Sequence, residues 1–261
     1  MKIEKDDRLI LLTNDDGLYA DGLSTLSEVM QEFGKVVVVS TIESRSGMSQ
    51  ALTVKSPIRV KLLKETESRR VYACSGTPTD GVKIAVNQLL EREPDWVVSG
   101  INHGSNASVS VIYSGTMAAA IEGCLYGIDS VGFSLNDFSA NADFSAARDI
   151  VRRVMNNIVR NGLPKGVCLN VNIPSCESKD IRGIKVCRQA RGNWREEFEK
   201  RKDPMGKTYY WLTGLFQNHE PQADDTDEWA LKNNYVSVVP VSVDMTAHDY
   251  LDDLKNQLDI K

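Results

Sequence analysis

The sequence lacks the groups from which disulfide frameworks and zinc sites are built. Its 261 residues include 5 cysteines and 3 histidines, and no two cysteines form a Cys-x-x-Cys pair. Cys74, Cys124, Cys168, Cys176 and Cys187 are odd in number and scattered, which excludes a disulfide-stapled secreted domain and points to reduced thiols in a cytoplasmic protein. No apolar run approaches the roughly 18 residues of a membrane span, and Met1-Lys2-Ile3-Glu4-Lys5-Asp6-Asp7 lacks the apolar core of a signal peptide. Basic charge is not in excess, with 31 Lys and Arg against 36 Asp and Glu and a net charge of −5. The overall field therefore attracts neither a nucleic-acid duplex nor an anionic membrane, although a local cation or helix terminus can still seat a phosphate. Internal repeats and low-complexity tracts are absent too.

What the chain does have is a run of buried-strand patterns that end in polar groups. Leu9-Ile10-Leu11-Leu12 reads as a strand buried on both faces, and it stops at Thr13-Asn14-Asp15-Asp16-Gly17. Adjacent carboxylates raise each other's pKa unless a cation or proton lies between them, so Asp15 and Asp16 read as half of a metal site. Asn-Asp-Asp-Gly is equally good turn chemistry, and the stretch alone leaves both readings open.

In chain order, Asp21 is placed to cap a helix whose face carries Leu23, Leu26, Val29, Met30 and Phe33, and Val36–Val39 forms the next strand. That β-α-β opening implies a parallel pair with a right-handed crossover. A hydroxyl-rich loop follows, from Ser40 through Ser46 to Ser49. Leu52–Val54, Ile58–Leu63 and Arg70–Ala73 suggest a small antiparallel insertion. Thr77-Pro78-Thr79-Asp80 is a helix start of capping-box type. A strand over Asp95–Asn102 again ends in polar groups, and Ser114-Gly115-Thr116 opens a small-residue helix whose free N–H groups are suited to phosphate. Ser130–Leu135, the helix Phe144–Ile158 and the strand Val167–Ile173 continue the α/β pattern. Residues 188–234 read as a charged, aromatic-bearing arm suited to subunit contacts, and 235–261 as a return strand and a closing helix with Tyr250, Leu251, Leu254 and Leu258 on one face. The whole chain, 1–261, reads as one α/β domain with a mostly parallel sheet.

Parallel sheets present the carboxyl ends of their strands along one edge. Asp15 and Asp16, Ser46 and Asn102 would share that edge, and their oxygens are hard donors suited to Mg²⁺ or Mn²⁺. His103, His219 and His248 are not needed for such a site.

The motifs that carry this pattern are Thr13-Asn14-Asp15-Asp16-Gly17 with Gly22, Arg45-Ser46-Gly47, Ser75-Gly76-Thr77-Pro78 with Asp80, Ser99-Gly100-Ile101-Asn102 with Gly104 and Asn106, and Tyr113-Ser114-Gly115-Thr116 with Glu122-Gly123. In that order, over essentially the whole chain, they resemble the stationary-phase survival protein E (SurE) family of metal-dependent 5′/3′-nucleotidases. Ser40-Thr41 stands where the family usually has Ala-Pro, and Thr79 and Gly81 where Ala and Cys are common. The resemblance implies one divalent cation, Mg²⁺, Mn²⁺ or Co²⁺, held by Asp15, Asp16, Ser46 and Asn102. It also implies a Rossmann-like three-layer core carrying a carboxy-terminal swapped arm that builds a homodimer or homotetramer.

On that reading the activity is hydrolysis of nucleoside 5′-monophosphates, with 3′-monophosphates and short polyphosphate as additional candidates. Asp15 and Asp16 would be catalytic, and Asn14, Asn102, Asn106, Ser114, Gly115 and Thr116 would bind phosphate or substrate. Three rivals remain: a Mg²⁺-binding signalling receiver, a haloacid-dehalogenase-type phosphatase and a silent nucleotide-binding subunit. The receiver needs a phosphoacceptor Asp where this chain has Asn102, and the dehalogenase type needs Asp-x-Asp where it has Asn14-Asp15-Asp16.

Overall fold

In a computed structural model, residues 7–139 and 141–258 are described; the charged stretch at 1–6 read above lies outside them. The elements in order are β1 (Leu9–Thr13), α1 (Asp21–Met30), β2 (Lys35–Thr41), β3 (Val60–Glu65), β4 (Arg69–Cys74), α2 (Pro78–Ile84), β5 (Trp96–His103), α3 (Ser110–Tyr113), α4 (Gly115–Leu125) and β6 (Asp129–Asn136). There follow α5 (Ser145–Asn161), β7 (Val167–Pro174), β8 (Gly183–Val186), β9 (Gly192–Arg195), β10 (Phe198–Lys202), β11 (Thr208–Leu212), β12 (Leu215–Asn218), α6 (Asp227–Lys232), β13 (Tyr235–Ser242) and α7 (Leu251–Gln257).

The main sheet has the order β3-β4-β2-β1-β5-β6-β7-β13-β8. From β4 to β7 every neighbouring pair is parallel, as the β-α-β pattern requires. Alternate side chains of β1 and β2 enter opposite cores. Ile10, Leu12, Val36 and Val38 pack with α1 and α5, whereas Leu11, Val37 and Val39 pack with α2 and α4. Both faces of the sheet are thus covered, giving a three-layer α/β/α sandwich. Burial at this level, with Ile10, Leu11 and Leu12 at 0 % exposure, contributes about 1.5–3 kcal/mol for each large side chain.

This topology positions the strand ends. The chain leaves β1 for β2 on one side and later returns to place β5 on the other, so the sheet order reverses between β1 and β5. At such a switch point the strand-end loops part and leave a crevice. Gly22, in the first turn of α1, lies against the far wall of that crevice: a Cβ there would stand 2.0 Å from the Ile101 carbonyl oxygen. Gly22→Ala is therefore expected to cost about 3 kcal/mol by overpacking. For a chain of this size that lowers the Tm by about 6–12 °C in differential scanning calorimetry. An unchanged Tm would show that α1 can shift freely.

Several expected elements differ. Asp21 is not the cap of α1: Ala20 holds the cap position without a side-chain bond, and Asp21 contributes its charge in the first turn. Leu52–Val54 forms no strand, and the expected insertion is the edge of the main sheet, with β3 antiparallel to β4 and β4 parallel to β2. Within the arm, β9 pairs with β12 and β10 with β11 as two separate ribbons, and a short helix, α6, precedes β13. The closing helix starts at Leu251, and Tyr250, Leu251, Leu254 and Leu258 are exposed. The Thr77 capping box is present as expected, with Asp80 N–H donating to Thr77 Oγ and Thr77 N–H to Asp80 Oδ2.

Candidate active site at the carboxyl edge of the sheet

The turn after β1 is held from below. Asn14 is fully buried; its Nδ2 donates to the Gly17 carbonyl at 2.9 Å and its Oδ1 accepts from Ser40 Oγ at 2.6 Å. Asn14 therefore shapes the turn, and its side chain is committed beneath the crevice. Ser40, one of the departures from the family pattern, is its partner. Two backbone bonds then fasten the loop after β2 over the turn, Leu18 N–H to the Thr41 carbonyl at 2.8 Å and Arg45 N–H to the Asp15 carbonyl at 2.7 Å. Ser49 ties the far end of that loop to α3 through its N–H on Tyr113 and its hydroxyl on Ile112.

Asp15 is buried, and its Oδ1 accepts from the Thr116 hydroxyl at 2.5 Å. Burial pushes its pKa up, opposed by the Thr116 hydroxyl and by the Gly115 and Thr116 amides at the start of α4. The helix terminus expected to seat phosphate is thus turned on Asp15, whose charge it favours. Asp16 accepts from His103 N–H at 2.8 Å, and burial together with the neighbouring Asp15 raises its pKa to about 6, against the His103 amide. No lysine or arginine among the described residues forms an ion pair with either carboxylate.

Asp15, Ser46, Asn102, Asn106 and Ser114 line one cleft of about 590 Å³. Asp16 lines an adjoining hollow of about 420 Å³, to which Ser46 and His103 also contribute. The oxygen donors from three strand ends are therefore gathered in one region. Asn102 Nδ2 is bound to the Gly104 carbonyl at 2.7 Å, which leaves its Oδ1 available as a donor to a cation. Asn106 Nδ2 donates to Ser134 Oγ at 2.8 Å, and its backbone is held by the buried Asn172 and Asn170. His103 Nε2 bonds the Ser139 carbonyl at 2.6 Å and so carries its proton there. A hollow of about 620 Å³ lies at the opposite edge of the sheet, walled by residues such as Arg8, Glu65, Arg70 and Glu91, and receives none of these strand-end groups.

Among the described residues no three His, Cys, Asp or Glu side chains cluster as metal ligands do. A cation in this crevice would draw on two carboxylates and neutral oxygens. The donor chemistry fits a hard dication: all-oxygen donors, and two partly dehydrated carboxylates without a cationic partner.

Residues beyond the strand ends also reach the cleft. Phe138, Trp194, Glu197, Leu212, Thr213 and Gly214 form its outer wall, and all but Phe138 come from the arm. The aromatic content of the arm was the available signal, but it reads equally well as a subunit contact. Asp227 of α6 is a second structural anchor: its carboxylate accepts from Ser108, Ala190 and Glu228 N–H at 2.8–2.9 Å, tying the loop before α3 to the root of the arm.

Comparison with known proteins gives a consistent result. The family model described as Survival protein SurE matches residues 10–196. A protein of Christiangramia forsetii called 5′-nucleotidase SurE is 53 % identical over 250 residues, covering 95 % of this chain and 96 % of its own. One of the same name from Flavobacterium psychrophilum is 51 % identical over 249 residues, covering 95 % and 96 %. Among solved structures, the SurE protein of Aquifex aeolicus superposes with a TM-score of 0.82 at 34 % identity, over 96 % of this chain and 99 % of that one.

Proposed function

The chain belongs to the survival protein SurE family, and from that membership we propose that it is a metal-dependent 5′-nucleotidase, releasing phosphate from nucleoside monophosphates. The observation that carries the proposal is the pair of dehydrated carboxylates, Asp15 and Asp16, without a cationic partner and grouped with Ser46 and Asn102 at the sheet's switch point.

Asp15, Asp16, Ser46 and Asn102 would hold one dication, of which Mg²⁺, Mn²⁺ and Co²⁺ all suit oxygen donors. Such an ion, when bound, supplies Lewis acidity toward the phosphoryl oxygens and lowers the pKa of a water. The Thr116 hydroxyl and the amides of α4 bind the Asp15 carboxylate and favour its charged form against the burial that pushes its pKa up. Asp16 has one oxygen tied to His103 N–H and the other free to take the proton of the attacking water. Asn102, Asn106 and Ser114 line the cleft, where each would donate to a phosphoryl oxygen through the side-chain N–H or O–H not already used within the fold. Water oxygen bonds to phosphorus, the phosphorus–ribose oxygen bond breaks, and the leaving oxygen is protonated by solvent.

Residues 1–261 then form one catalytic unit with the arm at 188–234 as its oligomerisation element. Support comes from β10 and β11, where every side chain is exposed, Phe198, Tyr210, Trp211 and Leu212 among them. A homodimer or homotetramer would cover them. All five cysteines are free thiols, in keeping with a reducing cytoplasm. No helix among the described residues is long and apolar enough to cross a membrane. The non-catalytic signalling and nucleotide-binding readings are not favoured.

The test is a substrate panel crossed with a metal panel: 5′- and 3′-monophosphates and short polyphosphate, each with Mg²⁺, Mn²⁺, Co²⁺ or chelator. Release of phosphate from 5′-monophosphates is expected with a dication and absent with chelator. Silence with every metal would refute the proposal.

A further inference from the structure

We infer that Asn170 and Asn172 of β7 are positioning residues for Asn106: a closed ring of hydrogen bonds beneath the loop after β5 fixes the amide that meets the phosphoryl group. The inference rests on the phosphatase reading above and adds to it the groups that set the place of one of its donors.

The ring has three members. Asn106 N–H donates to Asn172 Oδ1 at 2.7 Å, Asn172 Nδ2 donates to Asn170 Oδ1 at 2.9 Å, and Asn170 Nδ2 donates to the Asn106 carbonyl at 2.8 Å. A backbone N–H can only donate and a carbonyl can only accept, so each side-chain amide has a single orientation that closes the ring. Ser134 Oγ of β6 accepts from Asn106 Nδ2 at 2.8 Å, which fixes the side chain as the ring fixes the backbone. Ser134 stands beside Asn172 in the sheet register, and Asn102 of β5 stands beside Ser134. The row Asn102-Ser134-Asn172 therefore crosses three neighbouring strands at the level of the site.

The energetics of this arrangement argue for a role beyond holding the sheet. Asn170 and Asn172 are 2 % and 0 % exposed, in a strand whose intervening side chains, Val171 and Ile173, enter the core. Asparagine is disfavoured in strands, and a buried amide must recover the hydrogen bonds it gives up with water. Apolar side chains of similar size would hold β7 without that demand. Asn106 itself lies outside any helix or strand, so its main-chain groups depend on side chains for partners. The two asparagines meet that need at a residue that lines the cleft.

The test is a double-mutant cycle between Asn172 and Asn106, read as kcat/KM for AMP and as calorimetric binding of inorganic phosphate, both with Mg²⁺. Asn172→Ala is expected to lower kcat/KM about a hundred-fold, the effect of a misplacement of about 1 Å. Asn106→Ala should lose at least as much, and adding Asn172→Ala to it should cost nothing further, because the group that Asn172 places is gone. A merely structural role predicts losses that multiply. Asn172→Asp should restore most of the activity: a carboxyl buried without a cation stays protonated, so it can accept from Asn106 N–H and donate to Asn170 Oδ1. Ser134→Ala, which removes a single oxygen, is expected to cost about ten-fold and again nothing in the Asn106→Ala background. That second cycle decides the matter if Asn172→Ala does not fold. Phosphate binding should show the same non-additive pattern, so an inactive wild type that shows it would refute the phosphatase reading and leave the inference standing. Losses that multiply would overturn the inference alone, and a wild type that neither turns over AMP nor binds phosphate would overturn both.

Discussion

Asp15→Asn is expected to lower turnover about a thousand-fold while the fold survives, a loss that combines the reach of acid–base and of cation-assisted catalysis. Asp15 is already engaged without a cation. Its Oδ1 takes the Thr116 hydroxyl, and the amides opening α4 face the same carboxylate. An amide in its place sets one NH₂ group against those donors and removes the negative charge a dication requires. Stability moves the other way. Burial pushes the pKa of Asp15 up, which means that its charge is a cost to the folded protein while no cation is present. In chelator, then, the variant should melt at or slightly above the wild-type temperature. Adding Mn²⁺ should raise the Tm of the wild type by ligand linkage and leave the variant unmoved. Thermal scans with and without Mn²⁺ therefore read the role of Asp15 apart from turnover. Near-normal activity, or an undiminished Mn²⁺ shift, would sink the assignment.

The strand ends were readable because parallel strands covered on both sides must be apolar throughout. The first polar residue after such a run marks the edge where ligands bind, and Asp15, Asp16 and Asn102 follow directly from that rule. Ser46 followed from its place in the loop after β2, although the two backbone bonds that swing this loop over the β1 turn have no sequence signature. Side-chain direction was harder. Asn14 has the same polarity as its neighbours, but strand alternation sends it inward to Ser40 and Gly17. Thr116 and the amides of α4 read as a phosphate seat because a capped helix start offers donors; which acceptor they meet depends on how α4 packs against β5 and β6 beside the β1 turn. The wall formed by Trp194, Glu197 and Leu212 lay beyond sequence reasoning altogether. It depends on the arm folding back toward loops distant along the chain, and no local periodicity encodes that return.

The same packing makes Gly115 the sharpest probe of the site. A Cβ on Gly115 would stand 2.8 Å from both Cβ and Oδ2 of Asp15 and 3.0 Å from its Cγ. The close approach lets the first amides of α4 reach the carboxylate, and a methyl group there must push the two apart. Asp15 cannot yield outward without breaking its bond to Thr116, so the carboxylate is expected to rotate or shift by about 1 Å, a displacement that costs about a hundred-fold in rate. Helix energetics oppose any trivial explanation. Gly115 is the first residue of α4 and does not need a positive φ, so alanine is compatible with the helix start and α4 itself does not lose from Gly115→Ala. A variant that melts near the wild-type temperature yet loses about a hundred-fold in kcat would locate the defect in the placement of Asp15 rather than in folding. Retention of full kcat would mean that the α4 amides are not what holds the carboxylate, and Asp15 would then have to be fixed by the β1 turn alone.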